Sequence, residues 1–216
     1  MRMPSAPPQL ARAAGPVLFA RGFRVFFLLA GLYGAIPVAA WITVLYGGAV
    51  LPRGFGSPFW HAHEMLFGYA VAAAAGFLLT AVPNWTGTAP VQGWPLAGLA
   101  ALWLAGRAAV LASPWYPLGV FAAVDLAFLP VLAALMARAL WPARKPRNFA
   151  FVGLLAILFV ANLQSYWPVL GRSQNRGLLL AVDVFVLLIV IVGGRITPSF
   201  TAAALRQRED APPVAT

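Results

Sequence analysis

The stretch GLLLAVDVFVLLIVIVGGRI, from Gly177 to Ile196, is apolar on every face and carries one carboxylate, Asp183, before Arg195 near its end. It is too long for a strand and too uniformly apolar for a surface helix of a soluble protein. At about 1.5 Å per residue it crosses a hydrocarbon layer about 30 Å thick. Five further stretches read the same way: Phe23 to Tyr46, Trp60 to Val82, Trp94 to Ala112, Pro117 to Leu140 and Phe149 to Pro168. The expected fold class is all-α, a polytopic membrane bundle of six transmembrane helices spanning residues 23–196. The flanking segments, 1–22 and 197–216, read as cytoplasmic tails, with Met1 to Pro16 and Gln207 to Thr216 expected to be disordered because they hold nothing that could bury a core.

Composition agrees with that reading. Of 216 residues 62% are hydrophobic and 9% charged, too few charges to coat a soluble domain of this size. The absence of cysteine removes disulfides, thiolate nucleophiles and thiolate metal sites. A net charge of +10 could suggest nucleic acid, but the basic residues fall between apolar runs, where they face anionic lipid and set orientation. Nucleic-acid binding is therefore rejected, and membrane lipid is the expected surrounding. The first span is a retained helix, too long for the apolar part of a cleaved signal, with a kink expected at Pro37.

Eleven of the fifteen basic residues (Arg2, Arg12, Arg21, Arg24, Arg138, Arg144, Lys145, Arg147, Arg195, Arg206 and Arg208) lie on one side of this topology. Arg53, Arg107, Arg172 and Arg176 lie on the other. Both termini are expected to be cytoplasmic. Trp60, Trp85, Trp94, Trp115, Trp141 and Trp167 fall at the proposed span ends, where amphipathic rings favour the headgroup region.

An ionisable group within a span is costly enough to mark a function or a partner. His61, His63 and Glu64 open the second span from the outside. Arg107 then lies about 8 Å below the outer end of its span, Asp125 about 12 Å and Asp183 about 9 Å. Asn162, Gln164 and Tyr166 close the fifth span at the same level. The expectation is one polar layer near the outer surface, with Arg107 paired to Asp125 or Asp183.

The segment Ser57-Pro-Phe-Trp-His-Ala-His-Glu-Met65 reads as a capped helix start, with Pro58 at its first position. On a regular helix His61 and Glu64 share a face, and His63 points about 200° away from His61. That spacing argues against joint chelation. It allows one imidazole to ligate haem iron or copper while Glu64 fixes its tautomer, and it favours His61 as the inward member. Any further ligand would come from His63, Met65, Tyr166 or water. Interfacial hydrogen bonding by both histidines remains an open alternative, as does a purely structural Arg107–Asp125 pair. The Gly68, Ala72, Gly76 ridge would let another helix approach closely, and Pro83 to Gly87 reads as a helix exit and turn.

Five strings carry a resemblance: Arg21-Gly-Phe-Arg-Val-Phe-Phe-Leu-Leu-Ala30, Trp60-His-Ala-His-Glu-Met-Leu-Phe-Gly68, Gly76-Phe-Leu-Leu-Thr-Ala-Val-Pro-Asn-Trp-Thr-Gly87, Leu102-Trp-Leu-Ala-Gly-Arg107 and Gly193-Gly-Arg-Ile-Thr-Pro198. Together they resemble the NnrS family of haem- and copper-containing bacterial inner-membrane proteins linked to denitrification and nitric-oxide tolerance. The resemblance implies that His61, His63 and Glu64 match the family's H-x-H-E motif, and that Arg107 and Asp125 match further polar positions. It also implies a form half the usual family length, and Tyr166 of Ala161-Asn-Leu-Gln-Ser-Tyr166 stands where the family pattern has a histidine.

The leading expectation is a membrane metalloprotein of the nitric-oxide response, with haem or copper at His61 and His63. Two other readings compete: a metal-free transport or ligand-binding module whose site is Arg107, Asp125, Asn162 and Asp183, and a scaffold subunit in which the same residues only join helices. Half-length also leads to an expectation of self-association or of docking on a second membrane subunit, with the Gly68–Gly76 ridge as candidate contact.

Overall fold

The computed structural model describes residues 16–47, 57–141, 146–167 and 176–209. Residues 1–15 and 210–216 of the expected tails lie outside them, as do Arg53, Arg144, Lys145 and Arg172. The regular structure among the described residues is all helical, and six helices are long and apolar enough to cross a membrane. This is a multi-pass membrane architecture.

The elements are α1 (Gly22–Leu45), α2 (Ser57–His63), a π-helical segment (Glu64–Ala70), α3 (Val71–Thr86), α4 (Trp94–Leu111), α5 (Leu118–Leu126), α6 (Phe128–Leu140), α7 (Pro146–Ser165) and α8 (Arg176–Glu209). α2, the π segment and α3 form one spanning rod, as do α5 and α6. α1 packs along α3, α4 against α5, α6 against α7, and α7 against α8. The main apolar core, with Phe26, Leu78, Leu79, Leu129, Leu132, Met136 and Leu158, fills the half of the bundle remote from the histidines.

Small residues set the closest crossings. A Cβ on Gly22 would strike Leu79, so the start of α1 lies directly on α3. There the amide of Phe23, one of the first-turn donors with no partner in its own helix, donates to Thr80 Oγ1 at 3.1 Å. A Cβ on Gly177 would meet the backbone of Ala161 and Ser165, which fixes how closely α8 crosses α7.

Several boundaries differ from the sequence expectations. The second span does not leave the helix at Pro83: α3 continues through Trp85 to Thr86, and Gly87, at φ 74°, closes it by donating its amide to Pro83 O at 2.8 Å. A left-handed glycine at this position is the common helix terminator, whereas a proline with helical neighbours simply omits one donor. Likewise α1 runs unbroken through Pro37. α8 extends past Ile196 to Glu209, so Thr197 to Glu209 are helical. Of the six tryptophans placed at span ends, Trp94, Trp115 and Trp141 are well exposed, but Trp60 is buried with Val110, Phe121 and Tyr166.

The Gly68, Ala72, Gly76 ridge is consumed inside the chain. A Cβ on Gly68 would meet Tyr33 and Arg107, one on Gly76 would meet Phe26 and Phe27, and Ala72 is wholly buried. It seats α1 on its own neighbour and is closed to a second chain.

Candidate functional site

Near the ends of the bundle where α2 begins and α7 stops, five spans direct polar side chains at one another. Glu64, on the first residue of the π segment, lies between three donors. Arg107 Nη1 reaches its two oxygens at 3.0 and 3.1 Å, Tyr33 donates its hydroxyl to Oε2, and His63 Nδ1 lies 2.8 Å from Oε1. Arg107 Nη2 closes on Asp125 Oδ1. Asp125 Oδ2 accepts from Tyr166 at 2.7 Å and from Asn162 Nδ2 at 2.9 Å. The loop is completed by His63 Nε2, 3.0 Å from Asn162 Oδ1 and 3.6 Å from Asp125 Oδ2. Ser165 supports Asn162, its hydroxyl donating to the Asn162 carbonyl at 2.6 Å.

The chemistry of these partners assigns the protons. Asp125 can only accept, so Asn162 must present its NH₂ there and its oxygen to His63. His63 is then held at both ring nitrogens, Nε2 by Asn162 Oδ1 and Nδ1 by the Glu64 carboxylate. The Arg107 guanidinium lies between the two carboxylates, Glu64 on one side and Asp125 on the other. His63, Glu64, Arg107, Asp125, Asn162 and Tyr166 are all buried, and a charge set taken out of water persists only when paired and hydrogen-bonded in this way.

Local structure explains how adjacent residues both face inward. Hydrogen bonding from i to i+5 begins at Glu64 and widens the turn, so His63 and Glu64 lie side by side against α4 and α7. Trp103 of α4 donates to the carbonyl of Gly68 within that turn at 3.3 Å and meets Tyr33 edge to face, with ring centroids 5.1 Å apart. Gly106 is needed beside it: a Cβ there would lie 3.2 Å from Asp125 Cα.

The structure brings together most of the residues singled out by sequence and corrects two. Arg107 pairs with Asp125, as expected, and takes Glu64 as well. The expected inward histidine is reversed: His63 is completely buried, whereas His61 is partly exposed and stacks on Trp41 of α1, with centroids 4.0 Å apart and planes 10° from parallel. The regular-helix pairing of His61 with Glu64 fails because the acceptors and donors of α4, α5 and α7 are gathered on the His63 side. Asp183 does not join the layer. It is exposed on the outward face of α8, with no partner among the described residues. Its place is taken by Tyr33, which sequence reasoning missed although a hydroxyl in mid-span is itself a signal that a partner exists. Met65 is half-buried beside the cluster, and Gln164 is likewise only partly buried.

Haem or copper can be tested against these donors. His63 does not fit as a ligand, because both of its nitrogens are committed to hydrogen bonds inside the buried cluster. His61 does fit as one: its Nδ1 is buried and has no hydrogen-bond partner among the described residues. No group of three His, Asp or Glu side chains able to hold a metal ion occurs among the described residues. His61 therefore offers a single imidazole ligand, with the Met65 thioether, four residues on, as the nearest donor in sequence that is not bound in the polar cluster.

No curated protein and no solved structure matches the chain. A profile described as NnrS protein matches residues 17–216, which takes in every element of the bundle and the whole polar cluster. The chain belongs to the NnrS family.

Proposed function

We propose that this multi-pass protein acts in the nitric-oxide response at the bacterial inner membrane, with both termini cytoplasmic and a metal site at the outer end on His61. The family match supports the physiological setting. The observation that carries the site is the orphaned His61 Nδ1, a buried imidazole nitrogen left without a partner beside a cluster in which nearly every other polar atom is satisfied. Haem iron or copper, when bound, supplies a position for nitric oxide and for one-electron chemistry.

The chain's own residues then divide the labour. Trp41 covers one face of the His61 ring and excludes water from it. His63, Glu64, Arg107 and Asp125 hold α2, α4, α5 and α7 in register below it. A single protein ligand leaves the other positions on the metal to Met65, water or another chain. That matches a form of the family whose own histidines number two.

Absorption spectra and metal analysis of protein purified after expression with ample haem and copper test this reading. A Soret band or stoichiometric copper that disappears in His61→Ala is the expected result. Wild-type protein containing neither would overturn it and leave the scaffold reading, which the self-satisfied charge cluster also supports.

Self-association belongs to the same proposal, now through α8. Asp183 lies among exposed Leu179, Val182, Val186 and Val190, and a carboxylate facing lipid costs about 2.5–3.5 kcal/mol near a helix centre on insertion scales. A second copy docked on this face removes it from lipid. Because the chain has no cysteine, oxidative cross-linking of Val190→Cys in membranes reads this contact without background. Strong dimer formation is expected, and none would contradict it.

A further inference from the structure

At the end of the bundle opposite the polar cluster, α1, α3 and α8 leave a groove of about 520 Å³. Its polar residues are Arg195, Asn84, Thr80 and Ser199, and its apolar walls are Phe23, Phe27, Phe77 and Phe200. No acidic side chain among the described residues lines it. We infer that this groove binds the head and upper acyl segment of an anionic phospholipid.

Three observations carry the assignment. Charge comes first. Arg195 is held in place from two sides, its guanidinium 5.2 Å from the Trp85 ring centroid and 5.1 Å from that of Phe151, with Nη1 donating to Asn148 Oδ1 at 2.7 Å. A guanidinium fixed over aromatic faces has already lost its rotamer freedom, and its planar fork suits phosphate oxygens.

Depth comes second. Phe23 is the second residue of α1, Asn84 and Trp85 stand in the last turn of α3, and Arg195 is about 28 Å along α8 from Arg176. The polar part of the groove thus lies at the membrane boundary, with Phe23 and Phe200 at its rim and Phe27 and Phe77 deeper in the bundle. Amphiphilic lining is the third observation. A soluble phosphate compound would have no use for four phenylalanines, whereas a phospholipid places its phosphodiester by Arg195, Asn84 and Ser199 and its chains along Phe27 and Phe77. Basic pockets between spanning helices recognise anionic head groups by this combination.

Native mass spectrometry of the full chain in detergent, with equal amounts of phosphatidylglycerol and phosphatidylcholine, tests the site. Retention of phosphatidylglycerol over phosphatidylcholine by about tenfold is expected, falling to near parity in Arg195→Gln. Asn84→Asp, which puts a negative charge in the groove without touching the Arg195 stack, should reduce the preference as well and serves if Arg195→Gln fails to fold. Equal retention of the two lipids by wild-type protein would overturn the proposal, as would an unchanged preference in both variants. Displacement of phosphatidylglycerol by millimolar inorganic phosphate would also overturn it, by assigning the groove to a soluble phosphate.

Discussion

Asp125 and Asp183 are each the eighth residue of their helix, α5 and α8, and hydropathy alone treats them as equals. Asp125 is 2% exposed and bound by Arg107, Asn162 and Tyr166, while Asp183 faces outward with no partner among the described residues. The difference shows that depth along a span places a charge at a level but says nothing about which way it points. What decides is whether neighbouring helices bring donors to that side. α4 and α7 do so for Asp125, and no helix among the described residues does so for Asp183.

The contrast breaks most visibly if Arg107 is removed. Arg107→Leu leaves Glu64 and Asp125 buried without the guanidinium between them, and a loss of about 3–5 kcal/mol of stability is expected, read as a large fall in thermal midpoint in detergent. The double variant Arg107→Leu, Asp125→Leu removes one charge of each sign and should recover much of that loss. Unchanged stability in the single variant would show that the cluster is not charge-coupled.

Next comes the direct comparison of the two aspartates. Asp125→Leu leaves Arg107 with Glu64 alone, takes the acceptor from Asn162 and Tyr166, and should cost several kcal/mol, whereas Asp183→Leu should leave the isolated chain equally or more stable and weaken only self-association. Equal losses in both would mean that α8 is packed differently. A smaller effect tests the α7–α8 crossing that turns Asp183 outward: Gly177→Ala drives a methyl into the backbone of Ala161 and Ser165 and should cost about 1–3 kcal/mol. The smallest concerns the hydroxyl that completes the cluster from α1. Tyr33→Phe removes one donor to Glu64 while Arg107 and His63 remain, so about 1–2 kcal/mol is expected, and a loss as large as that of Arg107→Leu would show that Tyr33 is a principal support.

The six spans were legible because hydrocarbon thickness imposes a length that soluble helices seldom need. The Arg107–Asp125 pair was legible because two charges at one level in neighbouring spans have few other partners. Facing was harder to read. α8 is apolar nearly all round, so no polar stripe marks its lipid side and nothing local distinguishes Asp183 from Asp125. The His61–His63 reversal has a different origin. Spacing on a regular helix pairs His61 with Glu64, but the i to i+5 turn beginning at Glu64 is set by tertiary packing of Trp103, Tyr33 and Gly68, and no local signal in Glu64 to Ala70 announces it. Tyr33 escaped notice because it sits in an apolar span with its hydroxyl as the sole polar mark. The continuation of α8 to Glu209 was hidden by the composition of its end, which also suits a solvated tail.

The central claim is that two histidines two residues apart have separate tasks, His63 locked in the charge cluster and His61 open to a ligand. Haem and copper content per folded chain, measured side by side in wild type, His61→Ala and His63→Gln, tests it most directly. The account predicts that His61→Ala keeps the wild-type thermal midpoint within about 1 kcal/mol and loses the metal, while His63→Gln is clearly destabilised and the fraction that folds keeps its metal. Metal retained by His61→Ala and lost from folded His63→Gln would contradict the account.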